Sequence, residues 1–474
     1  MNTAVLTQPE AAADAPARLL AMQRLAHAND GAPGLRQRLA ALATLGGIVR
    51  ANKDEFARAI SADYGNRATT ETLLGEVVPA LSAIRHSRRH LARWMRPERR
   101  HVGLNAQPGR AWVEHHPLGC VGIVAPWNYP LFLTVGPMID ALAAGNRVIV
   151  KPSELTPRFS ALFARLIADA IDPAHATVVL GGPDVAEAVC ALPLDHLLFT
   201  GSTQVGRKVM QAAAANLVPV TLELGGKSPA ILCRDHDIAA AARTIATAKF
   251  FNAGQTCIAP DYALVPAEQV EAFAAAVLAQ ARAMFPTVAG NPDCTSIISG
   301  RHHARLQALL DEAEAGGART LRLEGAPAER RFGAAVVLDP PLDGPLMQEE
   351  IFGPILPVVG YGELAEAIAF VNARPRPLAL YPFTHDRAAL AAVMERTISG
   401  GVSINSALMH CIQDDLPFGG VGPSGTGAYH GHDGFRRLSH ARGVYKAGRI
   451  SGFNFLAPPY GKRTAMVMRL LLSR

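Results

Sequence analysis

Cysteine is scarce in this chain of 474 residues: there are six, at 120, 190, 233, 257, 294 and 411, and no two stand at a C-x-x-C spacing. That excludes zinc-ribbon and thioredoxin-type motifs, so no metal site is expected, and it offers no framework of structural disulfides. Several of the six lie in apolar runs, where a thiol behaves as a small buried hydrophobe. A reducing, cytoplasmic setting follows as an expectation. Long apolar runs are lacking too: none reaches the roughly 20 residues that span a bilayer. The first twenty residues hold Glu10 and Asp14 but no basic start followed by an apolar block, so no secretory signal is expected there. Charge is also modest. Only 18% of residues are charged against 49% apolar, the reverse of a disordered chain, and the net charge of +6 is small for this length. Six charges spread over such a surface do not make a nucleic-acid groove, though they favour anionic small ligands slightly.

What is present is a long, globular α/β pattern, too long for a single core. Residues 1–34 form an Ala-rich lead with a short helical stretch ending at the Gly31/Pro33/Gly34 breakers. Residues 35–100 carry a helical period, with Leu74, Val77, Leu81, Ile84 and Leu91 on one stripe and Pro79 as a candidate kink. The arginines at 85, 88, 89, 93, 96, 99 and 100 read as a solvated helix face or a subunit contact, since no aromatics are interleaved with them as in nucleic-acid-binding arms. From about residue 119 strands and helices alternate. Val121–Val124, Arg147–Val150, Thr177–Leu180, His196–Thr200, Val218–Leu224 and Ala230–Cys233 read as strands, with helical crossovers between them. Such an alternation implies a parallel, doubly wound sheet whose ligands gather at the carboxyl ends of the strands. Residues 235–400 form a second α/β unit, and 417-PFGGVGPSGTG-427 is a glycine-rich structured loop.

The candidate chemistry sits at those strand ends. Cys257 in 252-NAGQTCIAPDY-262 follows small residues that suit a tight loop exposing a thiol, which would need activation to act as a nucleophile. Alone, such a cysteine would more readily be a space-filler. Glu223 in 221-TLELGGKSP-229 ends a strand before two glycines and can project into a cleft, or be an ordinary ion-pairing carboxylate. Asn128 in 125-APWNYP-130 can offer its amide to an oxyanion or cap its own turn. In 151-KPSE-154, Lys151 and Glu154 can bracket a ribose diol. Gly201 and Gly206 in 199-FTGSTQVGR-207 flank the start of a helix, where N–H groups attract phosphate, yet this is neither a P-loop nor G-x-G-x-x-G. The segment 349-EEIFGP-354 adds Glu350 and Phe352.

Taken together, these phrases and their order resemble the aldehyde dehydrogenase superfamily over roughly residues 35–446. LELGGKSP and GQTCIAPDY are its most specific wording here, and the 34 residues between Glu223 and Cys257 agree with it. The CIAPDY wording, 417-PFGGVGPSGTGAYHG-431 and 457-APPYGK-462 are most similar to a class 3-like branch, in particular to bacterial coniferyl aldehyde dehydrogenases.

The resemblance implies a Rossmann-type dinucleotide-binding domain over 1–94 and 117–223. It further implies an α/β catalytic domain over 224–405, oligomerisation segments over 95–116 and 406–446, and a tail over 447–474. It also implies oxidation of an aldehyde to an acid with NAD, NADP being possible, in a homodimer. Cys257 would be the nucleophile, Glu223 the general base, and Asn128 with the Cys257 N–H the oxyanion donors. Lys151 and Glu154 would hold the adenosine ribose, Gly201, Ser202 and Gly206 the pyrophosphate, and Glu350 the nicotinamide ribose, with Phe352 near the ring. Trp127 and Tyr129 would line an aromatic-accepting tunnel or simply pack. The substrate expected is an aromatic or hydroxycinnamyl aldehyde, with a broad aliphatic aldehyde as alternative. The competing activities are a CoA-acylating dehydrogenase, which does not require Glu223, a cofactor-free cysteine hydrolase, for which no His motif stands out, and a non-catalytic scaffold. The tail 464-TAMVMRLLLSR-474 would dock on the body or a partner, or make weak peripheral membrane contact. Because a carboxylate at 154 suits ribose hydroxyls and repels a 2′-phosphate, kcat/KM is expected to be higher with NAD than with NADP. Equal values for the two dinucleotides would contradict this.

Overall fold

The computed structural model describes residues 9–103, 106–449 and 457–472. The first eight residues, the pair 104–105 within the predicted 95–116 segment, residues 450–456 and the last two of the tail lie outside them, so part of the signal-peptide expectation falls there.

Three sheets organise the chain. The first has six strands in the order Gly425–Thr426, Val220–Glu223, His196–Thr200, Cys120–Val124, Arg147–Lys151, Ala176–Val178. All its pairings are parallel except that of Gly425–Thr426 with Val220–Glu223. From Cys120–Val124 the chain steps outward through Arg147–Lys151 to Ala176–Val178. It then returns and steps out on the other side through His196–Thr200. The order therefore reverses between Cys120–Val124 and His196–Thr200, the topological switch point where doubly wound sheets open a crevice. Both of these strands are buried at every residue, as expected for a sheet covered by helices on both faces.

The second sheet has seven strands in the order Arg319–Arg322, Ala335–Leu338, Ile355–Tyr361, Tyr262–Pro266, Pro229–Leu232, Ala379–Phe383, Gly401–Val402. Only its Arg319–Arg322 edge is antiparallel. The predicted Ala230–Cys233 strand corresponds to Pro229–Leu232 of this sheet. A third sheet pairs Glu98–Arg100, Arg110–Pro117 and Ser439–Lys446, all antiparallel.

The helical expectation for 35–100 holds to Trp94 and then fails, since Glu98–Arg100 is a strand. The apolar stripe is also broken within it: Val77, Ile84 and Leu91 are buried, but Leu74 is 60% exposed. The cause is local. Leu73–Val77 is a π-helical turn, and the helix Val78–Trp94 restarts after it with Pro79 in its first turn, where a missing N–H costs nothing. The wider turn resets the register, sending Leu74 outward and Glu76 into the core. All seven arginines of the 85–100 run are exposed. On the tail helix Lys462–Leu472, Met466 and Leu472 are 69% and 78% exposed. Among the described residues no helix is long and apolar enough to cross a membrane.

Candidate active site

Cys257 lies between a tightly wound segment and the Tyr262–Pro266 strand. The helix Ile238–Phe250 runs into a short 3-10 turn, Phe251–Gly254, in which Asn252, Ala253 and Gly254 all have positive φ (52°, 51° and 72°). Such backbone is costly for non-glycine residues and persists only where its surroundings fix it. Here they do. The Asn252 Nδ2 donates to the Asn128 carbonyl at 3.0 Å and to the Gln255 carbonyl at 3.2 Å, and its N–H donates to Glu71. Gln255 Nε2 donates to Asn252 O and Ser296 O, and its Oε1 accepts from Ile298 N. At Gly254 a Cβ would fall 2.3 Å from the Gly353 carbonyl, so only glycine lets these two loops meet.

The opposite wall is the loop after Cys120–Val124. Asn128 is 3% exposed, and one hydrogen of its amide is used in a 3.2 Å bond to Gln255 O, leaving the other for a second acceptor. Its own carbonyl accepts from Tyr64 Oη (2.9 Å) and Asn252. Behind both loops sits Arg67, fully buried, paired with Glu76 at 2.6 Å and Glu71 at 3.8 Å, its guanidinium 5.0 Å from the Tyr129 ring centre. The other oxygen of Glu76 accepts from the N–H groups of Leu131 and Phe132, at the start of the helix Phe132–Ala144. A carboxylate there suits the positive end of the helix dipole. Tyr129 belongs to this scaffold and not to a free tunnel wall: its hydroxyl is bonded to Thr256 at 2.7 Å. Trp127 is partly exposed and meets Phe352 and His302 edge-on, at 5.4 and 5.3 Å.

Glu223 ends the Val220–Glu223 strand, is 1% exposed, and among the described residues neither carboxylate oxygen has a hydrogen-bond partner. Burial, with Glu350 adding to it, holds its carboxyl well above the usual range. The thiol of Cys257 is likewise pushed up, first by burial and then by Glu223, Cys411 and Glu350. Glu350 is raised to about 8 by burial and by Asp261, against the opposing pull of the Gly226 N–H and Lys227. It lies on the LELGGKSP glycines so closely that a Cβ at Gly225 would fall 2.0 Å from its Oε2. Lys227 anchors this contact, donating to the carbonyls of Leu346 and Glu349 and pairing with Asp261, which also faces the buried Lys249 at 3.6 Å. Phe352 completes the turn with φ of 52°.

The remaining predicted residues line the carboxyl ends of the first sheet. Lys151 Nζ is buried and bonded to Glu154 Oε2 at 2.9 Å, while the Glu154 side chain stays 42% exposed and free to accept from a diol. Ser202 caps the helix Thr203–Ala214, whose first turn has no acidic residue to compete with an anion. Gly206 is buried, and a Cβ there would meet Leu224 at 2.6 Å, so its task is close approach of helix to strand. An exposed carboxylate beside a strand end, a capped open helix N-terminus and an unpartnered buried Glu350 Oε1 together fit a dinucleotide.

Sequence reasoning missed Tyr64, Arg67, Glu71 and Glu76, which lie some 60 residues before Asn128 and about 180 before Asn252 without any motif of their own. It also missed Cys411 and Tyr429, which act electrostatically with Glu223 and come from the segment between the Gly401–Val402 strand of the second sheet and the Ser439–Lys446 strand of the third.

Residues 5–444 match the model of the aldehyde dehydrogenase family, and the chain belongs to that family. It is an NAD(P)-dependent aldehyde dehydrogenase. It is 47% identical over 456 residues to a Pseudomonas aeruginosa protein named "Probable coniferyl aldehyde dehydrogenase", with 96% of each chain covered. The substrate-bound state of Staphylococcus aureus AldH superposes with a TM-score of 0.90 at 35% identity, covering 96% of this chain and 99% of that one. A Mycobacterium tuberculosis aldehyde dehydrogenase complexed with NAD+ gives 0.83 at 29% identity, covering 91% and 90%.

Replacing Glu76 by Gln would remove the nearer of the two carboxylates that neutralise the buried Arg67, leaving only Glu71 at 3.8 Å. A loss of about 3–5 kcal/mol is expected from urea unfolding, with reduced turnover in the fraction that stays folded.

Proposed function

We propose that the chain oxidises a hydroxycinnamyl aldehyde of the coniferaldehyde type to its acid, coniferaldehyde giving ferulate, with Cys257, Glu223 and Asn128 as catalytic residues. The observation that carries the roles is the convergence of the half-buried Cys257 and Glu350 on the buried Glu223, from three separate segments, with the Asn128 amide held on the Gln255 carbonyl of the Cys257 loop. The Cys257 sulfur attacks the aldehyde carbon, and the free amide hydrogen of Asn128 with the Cys257 N–H stabilises the resulting oxyanion. An oxyanion donor of this kind contributes about 3–4 kcal/mol. A bound dinucleotide would supply the hydride acceptor. Glu223 then takes a proton from the water that attacks the Cys257 thioester, the C–S bond breaks, and the acid leaves.

Lys151 and Glu154 would hold one ribose, with Gly201, Ser202 and Gly206 beside the pyrophosphate. Glu350 would take the nicotinamide ribose, with Phe352 packing near the ring. We assign the dinucleotide-binding unit to 1–94 and 117–223 and the catalytic unit to 224–405. The 95–116 and 406–446 segments bridge subunits of a cytoplasmic homodimer, and 447–474 is a tail. Support for this division comes from the three sheets, which draw their strands largely from those ranges.

The substrate reading is tested with a panel of coniferaldehyde, benzaldehyde and hexanal, followed by NADH formation with added CoA as a control. Coniferaldehyde should give the highest kcat/KM, Cys257→Ser should abolish NADH, and CoA should leave the product a free acid. A preference for hexanal, or acyl-CoA as product, would overturn it. Because Glu223 is held protonated to higher pH than an ordinary carboxyl, acid release should rise with pH through that displaced range. In Glu223→Gln this limb should be lost while one equivalent of NADH still forms.

A further inference from the structure

A cleft of about 870 Å³, the size of a small-molecule pocket, opens beside the first sheet. The end of the helix Pro9–Asp30 forms one wall, and the helix Leu35–Ala51 forms a second through Gln37, Ala40 and Thr44. The turn between the helix Pro157–Ala170 and the strand Ala176–Val178 forms a third, and Arg147 lines the cleft from the start of the strand Arg147–Lys151. None of its lining residues belongs to the candidate active site. Lys151 ends the strand that Arg147 begins, and four steps of about 3.3 Å put roughly 13 Å between them. The cleft therefore lies at the other end of the sheet from the dinucleotide residues.

Arg147 is the cation in this cleft. It is 8% exposed, its Nη1 donates to the Ala174 carbonyl, and its Nη2 lies 2.6 Å from Asp30 Oδ2. Its Nε, and the Nδ1 of His27 on the adjoining wall, are buried with no hydrogen-bond partner among the described residues, so polar capacity is left unspent around it. The bond to Ala174 keeps the guanidinium in place whatever Asp30 does. Asp30 is held less firmly. Its side chain is 68% exposed, and it is the last residue of its helix, where the negative end of the dipole opposes a carboxylate. An ion pair with one partner so exposed contributes little, so Asp30 can swing out and yield Nη2 to another anion.

The rest of the lining sets the class of that anion. Ala26, Ala40, Ala41, Ala170 and Ile171 give an apolar wall of mostly short side chains. Two of the lining residues, Asp30 and Asp172, are acidic against the single arginine. His175 adds no positive charge at neutral pH, being lowered by burial and by Arg147 against the opposing pull of Asp172. This balance repels a doubly charged phosphate and suits a singly charged carboxylate. The geometry points to a second ligand site here, for a monocarboxylate with an apolar body whose carboxylate takes the place of Asp30 on Arg147. That is the chemical class of the acid an aldehyde dehydrogenase releases, and the site depends on none of the catalytic assignments.

The test is isothermal titration of the full-length enzyme, its Cys257 alkylated to obstruct the active site, with 2-naphthoate and its uncharged counterpart 2-naphthylmethanol as probes. One equivalent of 2-naphthoate should bind, and the alcohol should bind about tenfold more weakly or worse. Ala40→Trp, at an exposed position of its helix, fills the cleft and should abolish binding. NADH formation by the same variant before alkylation should stay at the wild-type level, which shows that it folds. Asp30→Asn removes the competing carboxylate and should tighten binding on the order of two- to fivefold, the reverse of what a structural role for Asp30 would give. Arg147→Gln should weaken binding about tenfold or more, and the other two variants decide the matter if it does not fold. Binding that alkylation abolishes, that survives Ala40→Trp, that is equal for the alcohol, or that weakens in Asp30→Asn would overturn the site.

Discussion

Everything at the site depends on a buried cation, Arg67, held between Glu76 and Glu71. Through Glu76 it fixes the start of the helix that follows the Asn128 loop, and through Glu71 it reaches the backbone of Asn252 in the turn before Cys257. One guanidinium thereby sets the distance between the two loops that carry the candidate nucleophile and oxyanion donor. A buried pair of this kind is a weak source of net stability, because desolvation offsets most of the attraction. Its value here is positional: with each oxygen of Glu76 committed, the loops have few alternative arrangements that leave no charge unpaired.

A second clamp of the same kind secures the other side. Asp261 sits between Lys227 and Lys249 and also accepts from the Ile351 N–H, so it ties together the glycine strand-end, the end of the Cys257 loop and the loop of Glu350. Between these two clamps lie Glu223, Glu350 and Cys257, with no cation placed directly on them. Crowding and burial push all three towards their protonated, neutral forms. The structure thus keeps its ion pairs in the supports and, among the described residues, leaves both oxygens of Glu223 and the Oε1 of Glu350 without a hydrogen-bond partner, available to a ligand.

Much of this was legible in the chain. The strand–helix alternation after residue 119 gives the first sheet nearly element by element, because parallel strands buried on both faces read as short apolar runs. Where the pattern misleads, the cause is local. Leu74 was placed on the buried stripe because a helical period assumes an unbroken turn, and a π-helical turn cannot be seen in a pattern of apolar residues. For Tyr129 the chain leaves tunnel wall and packing both open, and the bond of its hydroxyl to Thr256 favours packing.

By itself, the sequence determined the local devices: glycines where two backbones touch, a serine capping a helix, a thiol in a tight loop, acidic residues at strand ends. These follow from backbone sterics and short-range hydrogen bonding, which act between near neighbours in the chain. Only the tertiary structure decided which of those devices face one another. It brought Arg67 behind Asn128 and Asn252, and Cys411 and Tyr429 within electrostatic reach of Glu223, across separations of about 60 to 200 residues. Burial supplies the reason, since an unpaired charge or polar group inside a core is costly wherever its partner lies in the chain, and no local pattern records that partner's position.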